Sequence, residues 1–464
     1  MTHRPTVLVR SIPHWHRLTS AAALAACAVA APAQNLSALV RAGLQSDPAV
    51  AGAAAQVRAA EQRVYQARAA FGPTANVTGT ASDGDYRELG DVDARNLRSK
   101  QLTFQVTLPL WRGTLFPALD GARSQLAQAQ AALAQAQAEA GQRIVEASFE
   151  VLKSRDALAF ARAQRVAAGE QLLAARRALE VGTAPVTDVR DAEAKADAVA
   201  AQLLGIEADL AMRQQVLAEL SGQSWPGLLT RGLDGLRLPE VAPGDVLQWL
   251  ADAQAGNPQI AQARLALEAA EAEVRKAQLG HAPSADANYT YTKSSDNGTV
   301  TTLLPRSGRT SALGVTVNIP LFASGATESK VQESVALRDK ARSDIDVARR
   351  TVSLAVRQAF SATLAAVAQA RGLEAAVRSQ ETALRANRRA YEVGMKVNAE
   401  VLEAQSKLFE ARRDRSRARY DAWNGYLKLK AQLGQLGEVE LAQADALLIE
   451  AASPELLAPR RPAP

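Results

Sequence analysis

The chain is written twice. Asp47-Pro48 returns as Asn257-Pro258 and Pro73 as Pro283, each 210 residues on; Pro109-Leu110 returns as Pro320-Leu321 at 211, and Val181-Gly182 as Val393-Gly394 at 212. A period this long exceeds any solenoid repeat, so each copy is a whole architectural unit. Whatever residues 34–222 build, residues 246–434 should build again, with a connector at 223–245 and a C-terminal segment at 435–464.

Each half opens with an apolar-periodic helix, expected over Leu36 to Ala70 and over Val246 to Leu279, and each helix is stopped by a proline, Pro73 or Pro283. The period then changes from 3.6 to 2. Ala75, Val77, Gly79 and Ala81 alternate with Asn76, Thr78 and Thr80; Ala285, Ala287, Tyr289 and Tyr291 alternate with polar neighbours in the second half. Polar segments follow, Asp83 to Lys100 and Ser294 to Arg309, which suit exposed loops. A second strand then returns in each half, through Leu102, Phe104, Val106 and Leu108, and through Leu313, Val315, Val317 and Ile319. Four strands with one apolar and one polar face fit a transmembrane barrel, though alternation alone also fits hairpins on a soluble domain.

Aromatics are only 4% of the chain, while Ala, Gln, Glu, Arg and Leu fill long proline-free stretches, so long helices are favoured over a large aromatic core. From Pro117 to Pro185, and from Pro320 to a break at Gly394, each stretch allows a helix of about 100 Å at ~1.5 Å per residue. Within them Leu119, Leu126, Leu133, Ala140 and Ala147 recur every seven residues, as do Ile345, Val352 and Ala359 with Ala348, Ala355 and Ala362. A sustained heptad predicts a coiled-coil seam. Return helices are expected from Val186 to Leu220 and from Asn398 to Leu433, each ending at a glycine.

The first 33 residues read as an export signal: Arg4, Arg10 and Arg17, an apolar run from Leu18 to Ala30, then Ala31-Pro32-Ala33. Leu24-Ala25-Ala26-Cys27 offers the alternative of a lipid-anchored Cys27. Removing the signal lowers the formal charge from +6 to near +3, and basic residues are not interleaved with aromatics, which argues against nucleic acid. Of four histidines only His281 lies outside the signal, so a catalytic triad or histidine metal site has little material. No catalytic residue, metal or cofactor is expected.

Four strands leave two open edges whose backbone groups would find no water in a bilayer, so several copies of the chain must close a barrel. Three copies would give twelve strands, although pattern and closure alone leave the number open.

At this point the sequence resembles the TolC-type outer-membrane channel family over essentially all of Asn35 to Leu448, through the duplication, the Pro-Leu joins and the turns Glu180-Val181-Gly182-Thr183 and Tyr391-Glu392-Val393-Gly394. The resemblance implies an α+β membrane protein: a tandem repeat with four transmembrane β-strands per protomer, a twelve-stranded barrel as a homotrimer, and a long coiled-coil α-helical periplasmic barrel. It implies a cell outer-membrane location in contact with outer-membrane lipid, a periplasmic adaptor, and an inner-membrane transporter of the ABC or proton-driven kind. Carried over by position, Tyr391 and Lys396 beside one turn would bond to Thr187 and Asp188 beside the other, holding the periplasmic gate shut. Lysine at 396, where the family's best-known pattern has arginine, makes this a single-point ion pair. Glu400 and Glu403 match acidic positions lining the lumen, where symmetry would turn them into cation-attracting rings. By the residues alone they read first as an ordinary acidic first turn after Asn398. The implied function is a passive duct for type I secretion of protein or toxin cargo, with multidrug efflux as the alternative. A non-conducting coiled-coil envelope tether is the rival of a different class.

Overall fold

The computed structural model describes residues 36–86, 95–183, 185–222, 237–242, 244–298 and 304–435, with 437, 439–442 and 444 beyond them. The expected signal with Cys27, the middles of both polar loops, most of the connector and the terminal tail lie outside the described residues. In chain order the elements are α1 (Leu36–Ser46), α2 (Pro48–Ala69), β1 (Thr74–Tyr86), β2 (Arg95–Arg112), α3 (Leu115–Glu180) and α4 (Val186–Ser221). The second half repeats them as α5 (Val246–Gly256), α6 (Pro258–Gln278), β3 (Ser284–Asp296), β4 (Arg306–Asn318), α7 (Ala326–Glu392) and α8 (Asn398–Gln432).

The opening helix expected in each half is in fact two. Asp47 ends α1 and caps α2, its Oδ1 accepting from the Ala49 and Val50 amides at 2.7 and 3.2 Å, with Pro48 at the first helical position. Asn257 does the same for α6, accepting from Gln259 N at 2.9 Å. The break lets the new helix start where another ends. Asn257 Nδ2 donates to Gln432 O at 2.8 Å, and the backbones meet so closely that a Cβ on Gly434 would lie 2.5 Å from Gly256 O. Thus α6 continues the line of α8 along α7, and α2 that of α4 along α3. An equatorial core fixes the joins: Leu36, Leu39, Ile144, Phe149, Leu217, Tyr420 and Leu427 bury together, and Trp249, Ile260, Val356, Phe360 and Leu429 do so in the second half.

The seam of α7 departs from the expected heptad. Its buried residues Ile345, Ala348, Val352, Val356, Ala359, Thr363, Val367 and Ala370 step by three, four and four, an eleven-residue repeat, and Ala362 is exposed. Eleven residues over three turns track a nearly straight helix, which can lie in a wall beside its neighbours. Only below Ala370 does the spacing become seven, through Val377 and Leu384, as it does in α3 through Ala161, Ala168 and Ala175. Each hairpin is therefore a coiled coil in its tip-ward part.

The four strands form one antiparallel sheet in the order β1-β2-β3-β4, leaving β1 and β4 as open edges. The strands run further than expected, β1 to Tyr86, β2 from Arg95, β3 to Asp296 and β4 from Arg306, so they take in much of the polar segments. Pairing sustains them there: Ser82 Oγ meets Ser99 Oγ at 2.7 Å, and Arg98 pairs with Asp83 at 3.0 Å. Register sorts the two faces. Ala75, Val106, Tyr289 and Leu313 lie in one row, while Thr78, Thr103, Thr292 and Thr310 lie in a row of the opposite face. Leu313 is 82% exposed and Val315 63%, an apolar surface that a lipid bilayer would cover. The polar face is laced by side-chain bonds, including Thr107 to Asn288 at 3.1 Å and a two-point Arg112–Asp286 pair at 2.9 and 2.8 Å.

Candidate gate at the helical tips

Both hairpins turn by the same device. The Gly182 amide donates to Leu179 O at 3.0 Å and the Thr183 amide to Ala178 O at 2.8 Å; Gly394 and Met395 repeat this on Tyr391 O and Ala390 O at 2.9 and 2.8 Å. The glycines take φ of +74° and +75°, the left-handed conformation that closes a helix with a six-residue bond. Two equivalent tips thus sit ~100 Å of helix away from the sheet.

The structure places the four expected link residues beside these turns. Thr187 is exposed and Asp188 half-buried in the first turn of α4; Tyr391 packs at the end of a cluster within its own hairpin that includes Leu384 and Val401. Among the described residues no hydrogen bond or ion pair joins Thr187 or Asp188 to Tyr391 or Lys396 within the chain. Lys396 is engaged locally, donating to Asn387 Oδ1 at 2.7 Å and pairing with Glu400 at 2.5 Å. Glu403 likewise pairs with Lys407, four residues on, at 2.7 Å. The Lys407 hydrogen bond, its charge, and the charge of Lys195 hold the Glu403 carboxyl below the usual range. Each expected ring acid therefore carries its own lysine.

The two hairpins meet through residues that the sequence reading did not single out. Leu402 of α8 buries against Ala175, Val189 and Ala192 of the first hairpin, and the Gln171 amide donates to the side chain of Asn398, itself 1% exposed. Beside this contact a cleft of about 410 Å³ brings Asp191 and Lys195 of α4 together with Glu403 and Lys407 of α8. These are equivalent positions of the two repeats, 212 residues apart, each an acid with a lysine one turn on. The 212 offset carried this signal. The arrangement sets two acid–lysine positions, one from each hairpin, facing each other across the cleft.

Higher up, part-buried polar bonds tie α3 to α8 and to α4. Asp156 accepts from Ser416 Oγ and from Tyr420 Oη at 3.3 Å, and Ser154 donates to Asp209 at 2.6 Å. Burial, with Asp156 alongside, pushes the Tyr420 phenol far up, so it remains a donor.

Comparisons with known proteins agree with this geometry. The family model described as "Outer membrane efflux protein" matches residues 39–223 and 249–435, once per repeat. Outer membrane protein TolC of Vibrio cholerae is 30% identical over 92% of this chain and 96% of its own length. The alkaline protease secretion protein AprF of Pseudomonas aeruginosa is 27% identical over 89% of this chain and 86% of its own. Among solved structures, the outer membrane protein VceC of Vibrio cholerae superposes with a TM-score of 0.69 at 21% identity, covering 86% of this chain and 96% of that one.

Proposed function

This chain belongs to the outer membrane efflux protein family of TolC-type channels, and within that role in the outer membrane we propose that it serves as the exit duct of a type I secretion system for protein cargo. The reading takes three copies to close a twelve-stranded barrel, with a periplasmic adaptor recruiting an ABC or proton-driven inner-membrane transporter that supplies the energy. The observation that carries the oligomer is the open four-stranded sheet: β1 and β4 each present an edge of 13 residues that no bilayer could leave unpaired. The likeness to a protein named for alkaline protease secretion, over most of both chains, favours protein cargo. Efflux of small molecules is the second reading, favoured by the family's own description.

In the closed duct, Thr187 and Asp188 would bond to Tyr391 and Lys396 of a neighbouring hairpin. Lys396 would exchange its Glu400 partner for Asp188 as the tips close. Exposed links of this kind are worth roughly 0 to 1 kcal/mol each, so an adaptor can open a gate made of several. Glu400 and Glu403 would line the constriction as rings whose field is set by how far Lys396 and Lys407 neutralise them. Deletion of the gene and analysis of the culture medium test the cargo class. Loss of a secreted protein is expected, whereas an unchanged secretome with heightened sensitivity to small toxic compounds would favour efflux.

A further inference from the structure

The outward face of the sheet changes character abruptly at one height. Rows from Val317 and Ala285 up to Phe104 and Tyr291 are apolar apart from Ser311, and the next row sets Lys293 and Arg309, directly paired, beside Leu102, with Lys100 and Arg98 following on β2. Arg309 stands eight residues along β4 from Val317. At ~3.4 Å per residue and a ~40° tilt this is about 20 Å of bilayer height, the far margin of the hydrocarbon. The helices leave the sheet at its other end, so this margin faces the outer leaflet.

Cations directly opposite each other in a sheet repel, and among the described residues no acid pairs with either of them. Arg98 is matched by Asp83 at 3.0 Å, and Asp85 on the same face lies opposite Asn96. Lys100, Lys293 and Arg309 are exposed and make no ion pair with any described residue. Three positions further along the same strands the lumen face is arranged differently: there Asp296 lies opposite Arg306, acid against base. Charges that only keep a rim wet need not converge on one face of three strands while the other face pairs acid with base.

We propose that Lys100, Lys293 and Arg309, with Arg98 at their border, form a binding site for the phosphorylated headgroup of lipopolysaccharide, the glycolipid of the outer leaflet. Two lysines supply mobile point charges and the arginine fork a two-point contact to a phosphate. The acyl chains of the same molecule would run down the apolar rows past Leu102, Phe104 and Leu313. Clustered basic residues at a membrane margin recognise anionic headgroups in this way.

The test uses the full-length protein purified in neutral detergent and titrated with lipopolysaccharide, phosphatase-treated lipopolysaccharide and phosphatidylglycerol, with bound lipid read by native mass spectrometry. The triple substitution Lys100→Gln, Lys293→Gln, Arg309→Gln is expected to weaken lipopolysaccharide binding about tenfold. Arg306→Gln, three residues further along β4 on the lumen face, should change nothing, and the phosphatase-treated lipid should bind wild type no better than the intact lipid binds the triple variant. Equal binding by the triple variant, an equal loss in Arg306→Gln, or phosphatidylglycerol binding as tightly as lipopolysaccharide would overturn the proposal. Should the triple variant fail to assemble, Lys293→Gln and Arg309→Gln alone decide it, each expected to lower affinity about threefold, and no change in either refutes it.

Discussion

Asp47 does three jobs in one side chain: it ends α1, caps α2, and bonds Arg143 of α3 at 2.7 Å. Burial pushes its carboxyl up, but Arg143 and the Val50 and Ala49 amides outweigh that and hold it below its ordinary value of 3.8. A depressed carboxylate stabilises the fold above the unfolded value, and that contribution is lost as pH falls through the folded one. Asp47→Ala should cost about 1 kcal/mol in thermal unfolding at neutral pH, and its deficit should shrink as the medium is acidified below pH ~4. Asp-Pro is local punctuation, yet the apolar period ran through it and one helix was expected from Leu36 to Ala70; the Arg143 bond leaves no local mark at all. Tyr420 and Asp156 lie 264 positions apart and meet only because α3 docks on α8, so no sequence pattern marks them. Tyr420→Phe should cost about 1.5 to 3 kcal/mol, the worth of a hydrogen bond to a charged group. At the tips the same reasoning applies to charge. Lys407→Gln should free Glu403 and raise cation preference in reversal-potential measurements, and Glu403→Gln should lower it. Matching shifts in both variants would sink the pairing as the source of the lumen field.

At the scale of elements, glycine positions separate conformational strain from close approach. Gly394 and Gly434 both hold positive φ, +75° and +71°, yet a Cβ at Gly394 meets open space while one at Gly434 would meet Gly256 O at 2.5 Å. Gly394→Ala should therefore cost about 1 kcal/mol of left-handed strain, and Gly434→Ala about 2 to 3 kcal/mol, since α6 can no longer sit on α8. Thermal unfolding in detergent checks the order; equal losses would contradict the stacking. The ends of the long helices were readable because Pro and Gly act on their own neighbours. The seam was readable only in part: a heptad count through alanines cannot distinguish a seven-residue from an eleven-residue repeat over two turns, and only packing against α6 and α8 selects the face. The polar segments looked like loops because their composition is polar, but a barrel's lumen face is polar by design and cross-strand bonds carry the strands through.

Across the whole molecule, one asymmetry decides the architecture. The helices of one chain bury their joins in two equatorial cores, whereas the sheet keeps two bare edges and an apolar outer face. The helical part can hold itself together; the sheet cannot. Duplication accounts for this economy, since each half contributes two strands and one hairpin, and the sheet they share keeps both edges open. That much followed from the repeat itself, while the cleft joining Asp191, Lys195, Glu403 and Lys407 needed the two hairpins placed side by side. The most direct measurement of the central claim is single-channel current through the purified protein in a planar lipid bilayer. The account predicts discrete, stable conductance steps from oligomers of the intact chain. Protein that inserts into the bilayer and carries no current would contradict it and favour a non-conducting tether.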